Sequence, residues 1–287
     1  LRTRANVEVY AWMPLMAFEL PPQHPAAAHR VAQASGGAPG YPRLSPYSPA
    51  ARAAIRELFE DLAQHAFLSG IVIHDDATLS DFEDDSGWAR AHHRDVWRLP
   101  ESVGAIRSDP DAFARWTRLK TEHLSLFARE VGDAVRRTHP GAKLARNYYA
   151  RPILEPQSQA WFAQSLPDAL AHFDWVALMA MPYMEGARDP ERWLTALVHR
   201  VAQVPGALEK VVFEIQTRDW RSGQPLPAAT VERHLRTLQR AGARSIGYYP
   251  DDFIGDQPPL GAVRSTISVR APMSVWPPGP RPPGVSR

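Results

Sequence analysis

The sequence predicts an α/β protein of the (β/α)8 barrel type that lacks its first two βα units. Three observations predict it: six short apolar segments recur along the chain, amphipathic helical segments separate them, and polar or aromatic residues follow most of them. Strands that alternate with helices are joined by right-handed crossovers and form a parallel sheet. Because a barrel of this type needs eight strands, two further units are expected upstream of Leu1.

The predicted strands are mostly apolar or β-branched at the start and polar or aromatic at the end. That pattern is typical of parallel strands that are buried on both faces. The strands are predicted over Val7–Pro14, Gly70–Ala77, Ala142–Tyr149, Trp175–Pro182, Lys210–Thr217 and Ser245–Pro250. An open doubly wound sheet could use the same strands, but no glycine-rich phosphate-binding turn follows any of them, so the barrel is favoured.

The helices between these strands have clear starting signals. In three places a side chain suited to N-capping precedes a proline at the first helical position, namely at Ser48-Pro49, Asp109-Pro110 and Asp189-Pro190. A last helix follows Pro227 and ends at Gly242, and a shorter helix is predicted over 157–173 with an interruption near Pro167. Residues 1–272 are therefore assigned to the barrel, and the proline-rich segment 273–287 is predicted to be disordered.

Composition narrows the classes of function. With 33 Lys and Arg against 31 Asp and Glu, the net charge is +2, so the strongly basic surface that nucleic-acid binding requires is not expected. The chain has no cysteine, which excludes disulfides, thiolate metal sites and cysteine nucleophiles. The 9 Trp and 8 Tyr suggest a surface for flat ligands, and no cofactor is indicated.

The acidic residues are concentrated in one stretch. Between His74 and Asp85 six acids occur without a lysine or arginine among them: Asp75, Asp76, Asp81, Glu83, Asp84 and Asp85. We expect this stretch to bind a cationic partner. Its first part, His74-Asp75-Asp76, ends an apolar strand, where two adjacent carboxylates repel each other and one pKa rises.

A carboxylic acid that stays protonated near neutral pH can protonate a glycosidic oxygen. Asp75 and Asp76 are therefore predicted catalytic residues, although a surface acid pair or a loop cap would give the same pattern. Glu185 is the predicted assisting carboxylate. Other acids near strand ends also fit that role, namely Glu214, Asp219, Asp251 and Asp252, but Glu214 could equally be a buried, paired residue of the barrel.

Aromatic residues accompany every predicted strand end. Aromatic rings with polar tips suit the faces of pyranose rings, and saccharide grooves are lined in that way. The predicted substrate-binding residues are Tyr10, Trp12, His74, Asp81, Tyr148, Tyr149, Tyr183, Trp220, Tyr249 and Asp251. A zinc site at His92-His93 is disfavoured, because adjacent histidines point apart on any regular element and no HExxH motif is present.

Several motifs closely resemble the C-terminal glycoside hydrolase domain of the PgaB/BpsB-type proteins, which is placed in glycoside hydrolase family 153. They are VEVYAWMPLMAFEL, PRLSPYSP, GIVIHDDATLSDFED, ARNYYARPILEP, VALMAMPYMEGA, FEIQTRDW and SIGYYPDDF, and the likeness extends from about Val7 to Val269. The resemblance implies a barrel with an electronegative, aromatic-lined groove. It also implies endo-hydrolysis of partially de-N-acetylated poly-β-1,6-N-acetyl-D-glucosamine (PNAG), with Asp75 and Asp76 as the candidate acids.

The resemblance also implies a biological setting. Members carry an N-terminal metal-dependent deacetylase domain and the opening strands of the barrel, neither of which is in this sequence, so no metal is assigned to these residues. The family implies a periplasmic protein, commonly lipid-anchored upstream of this segment, with PNAG as its polysaccharide partner. The alternative function is a non-catalytic PNAG-binding module that guides the deacetylated polymer to an outer-membrane export porin.

Overall fold

Six parallel strands form the central sheet of the computed structural model, which describes residues 7–38, 40–252 and 254–267. The strands are β1 (Tyr10–Met13), β2 (Gly70–Ile73), β3 (Lys143–Tyr149), β4 (Trp175–Met179), β5 (Val211–Gln216) and β8 (Ser245–Tyr249), in the order β1-β2-β3-β4-β5-β8. Between β5 and β8 a short antiparallel hairpin consists of β6 (Arg218–Asp219) and β7 (Gln224–Pro225). All six predicted strands are present.

The sheet is curled rather than flat. Its strand order follows the chain, so each crossover leads to the next strand, as it does in a barrel. Trp12 in β1 and Tyr249 in β8 belong to the two outermost strands, yet their ring centroids are 5.0 Å apart. The sheet therefore forms a half-barrel, which confirms the predicted class of a (β/α) barrel without its first two units.

Helices cover the outer face of this half-barrel. They are α1 (Pro49–His65), α2 (Gly87–Asp95), α3 (Val103–Arg107), α4 (Pro110–Arg136), α5 (Arg151–Leu154), α6 (Gln159–Phe162), α7 (Leu166–His172), α8 (Pro190–Ala202), α9 (Ala207–Lys210), α10 (Ala228–Ala241) and α11 (Leu260–Ile267), with a 3-10 turn at Pro156–Ser158. None of the helices in the described residues is both long and apolar enough to cross a lipid bilayer.

The predicted helix starts are confirmed by their capping bonds. Ser48 accepts a hydrogen bond from the Ala51 N–H, and Asp109 and Asp189 cap α4 and α8 in the same way. The segment 157–173 contains two short helices, because Pro167 lies in the first turn of α7 and cannot continue the preceding helix. The tail 273–287 lies outside the described residues, and its predicted disorder stays a prediction.

Successive side chains of a strand point to opposite faces of the sheet, so one set faces the helices and the other faces the groove. In β3, Arg146 and Tyr148 point outwards and are fully buried beneath the helices. Arg146 donates to Ser125 of α4 at 3.2 Å, and the Tyr148 ring lies 6.4 Å from that of Phe173. Tyr149, the last residue of β3, has the opposite orientation and faces the concave side, where its hydroxyl bonds Asp75.

Candidate active site

Asp75 lies at the mouth of the half-barrel, immediately after β2. Its Oδ1 is 2.5 Å from His74 Nδ1, and its Oδ2 accepts a 2.9 Å hydrogen bond from the Tyr149 hydroxyl. The buried Ile71 and Ile73 anchor β2, and the chain turns as soon as the strand ends. With 27% of its side chain exposed, Asp75 is accessible to a ligand in the groove.

Asp75 is held as a carboxylate. Burial by itself raises its pKa, but the hydrogen bond and charge of His74 and the hydroxyl of Tyr149 outweigh burial and bring the pKa below its usual value. Burial lowers the pKa of His74, yet the neighbouring Asp75 and Asp76 raise it overall. Asp75 and His74 therefore form an ion pair. Of the two adjacent acids it is Asp76 whose pKa is raised, and the main cause is burial rather than the predicted repulsion.

Asp76 is buried and holds the segment that follows β1. Its side chain is 1% exposed, and its Oδ2 accepts hydrogen bonds from the backbone N–H groups of Met16 at 2.6 Å and Ala17 at 2.7 Å. The Leu15 N–H is 3.0 Å from Oδ1. Burial raises the pKa of Asp76, and these N–H groups oppose the rise. Both oxygens therefore hold the segment after β1 in place, and the catalytic role of Asp76 stays a prediction.

Glu214 supplies a second carboxyl group on the concave side. It lies in β5, where the Asn147 side chain donates a 3.1 Å hydrogen bond to its Oε2. Burial, opposed by that hydrogen bond and assisted by the charge of Asp75, raises the pKa of Glu214 to about 7. The pair therefore consists of an ionised Asp75 and a Glu214 that keeps its proton up to neutral pH. Two carboxyl groups with opposite protonation states are suited to acid–base chemistry.

A row of four rings crosses the mouth. The His74 ring lies 4.3 Å from Trp12, Trp12 lies 5.0 Å from Tyr249, and Tyr249 lies 5.8 Å from Trp220 at the tip of the β6–β7 hairpin. Trp12 is 44% exposed and Trp220 is 41% exposed, so both can present ring faces to a ligand. The structure thus brings four predicted substrate-binding residues together beside Asp75.

Three other predicted residues are placed elsewhere. Tyr148 is fully buried on the outer face, so its prediction as a groove residue is wrong. Tyr10 is at the first position of β1, the opposite end of the strand from the mouth, and donates to Glu8 at 3.0 Å. The Tyr183 ring lies 5.7 Å from that of His234 in α10, outside the row described above.

The remaining predicted acids also differ from expectation. Asp81 forms an ion pair with Arg107, so its carboxylate already has a partner within its own loop. Asp251 is exposed after β8. Glu185 follows β4, and burial raises its pKa, with Arg151 lowering it and Glu155 adding to the rise. The charge of Glu185 also raises the pKa of Tyr149, the residue that bonds Asp75, so its assisting role stays a prediction. Glu214, whose pKa is raised in part by the charge of Asp75, is a second candidate for that role.

The acidic stretch as a whole is not a binding surface. Glu83 is buried and pairs with Arg43 at 2.6 Å. Asp84 is buried and accepts from the Ser45 hydroxyl at 2.6 Å and the Ala32 N–H at 3.0 Å. These contacts fasten the loop after β2 to the loop after β1. Their role is to hold together the two loops that frame Asp75.

His92 and His93 belong to a buried aromatic cluster. His93 accepts a 3.1 Å hydrogen bond from the Trp116 indole, and its ring stacks on Trp97 at 5.4 Å. Burial lowers the pKa of His93 to about 4 and lowers that of His92. Within the described residues no group of three or more histidine, aspartate or glutamate side chains could hold a metal ion.

Comparison with known proteins shows the family of this chain. Residues 1–249 match a family described as hypothetical glycosyl hydrolase family 13 (GHL13). The chain belongs to this glycoside hydrolase family. The solved glycoside hydrolase domain of PgaB (BpsB) from Bordetella bronchiseptica superposes with a TM-score of 0.89 and is 42% identical, covering 94% of this chain and 78% of that one.

More distant comparisons add to the family assignment in different ways. A poly-β-1,6-N-acetyl-D-glucosamine N-deacetylase of Escherichia coli K12 is 37% identical over 279 residues, which are 93% of this chain but only 41% of the relative. The chain thus spans about two fifths of that curated protein. A β-galactosidase from Marinomonas ef1, 14% identical with a TM-score of 0.59 over 85% of this chain and 44% of its own, shares the fold alone.

Two residues near this candidate active site were not predicted from the sequence. Asn147 lies between Trp12 and Glu214, and the only available signal was a polar residue within an otherwise strand-like segment. Tyr41 lies in the long loop after β1, where burial and the charges of Asp76 and Asp75 raise its pKa to about 12. Because Tyr41 lies in an irregular loop, no hydrophobic periodicity in the sequence predicts that it is near Asp75.

Proposed function

We propose that this chain is an endo-acting glycoside hydrolase that cleaves partially de-N-acetylated PNAG. The observation that carries the proposal is Asp75 at the mouth of the half-barrel, bonded to His74 and Tyr149 beside an aromatic row, with Glu214 on the same concave side. Burial, with the charge of Asp75, raises the pKa of Glu214 to about 7. Membership of a glycoside hydrolase family supports the reaction. The name of the Escherichia relative, a PNAG N-deacetylase, supports the polymer, and the solved Bordetella glycoside hydrolase domain supports the reaction.

The two carboxyl groups suit the two tasks of glycoside hydrolysis. Glu214 carries the proton that the glycosidic oxygen must receive, and Asp75 carries the negative charge that an oxocarbenium-like transition state attracts. Asp75 then acts in one of three ways: as the nucleophile of a retaining reaction, as the base for water in an inverting reaction, or by orienting the substrate's own N-acetyl group. Tyr149 and His74 hold Asp75 in position for each of them.

The same residues favour a polymer that carries free amines. De-N-acetylated glucosamine residues are cationic, and Asp75 attracts them while Trp12 and Trp220 offer ring faces for both stacking and cation–π contact. Three acids of the loop contribute little to this attraction, because Asp81, Glu83 and Asp85 are each paired with an arginine. Selectivity for a partially deacetylated chain is therefore assigned to the mouth itself.

The proposal is tested by mass spectrometry of defined PNAG oligomers after incubation with the protein and its variants. Asp75→Asn and Glu214→Gln should abolish or strongly reduce chain shortening. Asp61→Asn is the matched control, since it makes the same chemical change at an exposed position of α1, and it should shorten the oligomers as the parent does. The assay is run on the full-length protein as well as on this chain.

Two outcomes would contradict the proposal. Shortening by Asp75→Asn at the parent rate would remove Asp75 from catalysis. Intact oligomers from the full-length protein and from every variant, with binding retained, would instead identify a non-catalytic polysaccharide-binding module. The configuration of the new reducing end, followed by NMR, separates retention from inversion, and a fully de-N-acetylated oligomer tests whether the N-acetyl group takes part.

We further propose a periplasmic location and an outer-membrane export porin as a partner, because a domain that processes an exported polysaccharide has to meet the polymer on its way out. Fractionation of cells that express the full-length protein would test the location. Cross-linking in those cells would test the porin contact.

A further inference from the structure

Asn147 connects the aromatic row to the second carboxyl group. It lies in β3, faces the concave side and is 3% exposed. We infer that Asn147 is a positioning residue that couples the Trp12 indole, on which a sugar ring would stack, to the orientation of the Glu214 carboxyl group. The inference rests on the function proposed above and extends it to a residue that does not itself touch the substrate.

The orientation of the Asn147 amide is set by its two partners. The Trp12 indole N–H can only donate, so the atom that faces it at 2.6 Å is Oδ1. Nδ2 then points away, towards Glu214 Oε2 at 3.1 Å and the Ala177 carbonyl at 3.5 Å. A reversed amide would leave the indole facing a donor, which would cost a hydrogen bond in a buried site.

This orientation determines which oxygen of Glu214 carries its proton. Oε2 accepts from Asn147, so a neutral Glu214 has its hydroxyl at Oε1. The donor that a glycosidic oxygen needs is therefore kept on one defined oxygen. If the Trp12 indole shifts when a sugar stacks on its exposed face, the amide follows and the carboxyl group turns with it.

The strands between these residues leave room for the connection. Asn147 and Glu214 lie on β3 and β5, which are separated by β4, and the residue of β4 paired with Asn147 is the small Ala177. Gln164 fixes β3 at this point, since its Nε2 donates to the Asn147 carbonyl at 3.2 Å and its Oε1 accepts from the Tyr149 N–H at 2.9 Å. Gln164 thus holds the backbone of β3 on either side of Tyr148, and the Asn147 side chain extends from that fixed backbone.

Charged and titratable groups on the other elements act on the same carboxyl group. Asp75, which follows β2, repels an ionised Glu214. Burial and the charges of both acids raise the pKa of Tyr249 in β8. Trp12 of β1 is uncharged, and Asn147 of β3 donates a hydrogen bond that favours the carboxylate. Changing that donor should therefore alter how tightly Glu214 holds its proton.

The test is the titration of Glu214 in the substrate-free protein, followed by NMR of carboxyl-labelled glutamate and assigned by the loss of its signal in Glu214→Gln. Asn147→Asp should raise the midpoint by at least about one pH unit, a tenfold change in proton affinity, because two close carboxylates share one proton. Trp12→Phe keeps a ring but removes the indole donor, so the freed amide can present Oδ1 to Glu214 and raise the midpoint too.

The matched control is Trp220→Phe, the same change in a ring of the row that is not bonded to Asn147, and its midpoint should equal that of the parent. A midpoint unchanged in Trp12→Phe would overturn the inference whatever Asn147→Asp does, because the new carboxylate of Asn147→Asp acts on Glu214 without Trp12. In active protein the alkaline limb of kcat/KM should move with the midpoint. A titration shift in a protein that cleaves no oligomer would refute the proposed function while leaving the coupling intact.

Discussion

The adjacent residues Asp75 and Asp76 should respond in opposite ways to the same substitution. In Asp76→Asn, one carboxylate oxygen becomes an NH2 group that faces the backbone N–H groups of Leu15, Met16 and Ala17. A hydrogen bond to a charged group contributes about 1.5–3 kcal/mol, and a buried donor left unpaired costs a similar amount. Since an asparagine retains one of the two acceptors, we expect a loss of roughly 2–4 kcal/mol in the free energy of unfolding.

The assay is thermal unfolding, run beside the oligomer-cleavage assay. For a domain of this size 1 kcal/mol corresponds to roughly 2–4 °C in Tm, so Asp76→Asn should unfold roughly 4–16 °C below the parent. Asp75→Asn should unfold close to the parent temperature, because its partly exposed side chain bonds to His74 and Tyr149 and does not hold a distant backbone segment, and it should lose turnover. An Asp76→Asn protein with the parent Tm and no turnover would refute the reasoning and make Asp76 the catalytic acid.

Three further predictions concern single side chains. Tyr149→Phe removes a hydrogen bond to the ionised Asp75 and should lower kcat by about 10–100-fold, whereas Tyr148→Phe, which changes a ring buried in the core, should leave kcat unchanged. The pKa of Glu214 rises on folding from 4.5 to about 7, so its contribution to stability is present below pH 4.5 and is lost as the pH rises through 7. Urea unfolding should therefore show Glu214→Gln gaining stability relative to the parent between about pH 5 and pH 8, and a constant difference would contradict this sign. Because burial lowers the pKa of His93 to about 4, its 15N shifts should report a neutral ring at about pH 5, and an imidazolium there would disprove its burial.

The sequence determined the class of fold and the end of the sheet at which the chemistry lies. Periodicity separates a buried strand from an amphipathic helix, because it depends only on neighbours along the chain. The caps at Ser48, Asp109 and Asp189 are local for the same reason. Polar and aromatic residues after strand ends then indicated where a barrel of this family has its site, and Asp75 is found there.

Only the tertiary structure decided which member of each adjacent pair faces the groove. Neighbouring residues at a strand end point in different directions, but sequence does not say which direction is inward. The structure assigns Tyr149 to the groove and Tyr148 to the core, and Asp75 to the mouth and Asp76 to the backbone of a segment about sixty residues away in the chain. Whether an acid is a free charge or a buried acceptor depends on those distant partners, which no local pattern records.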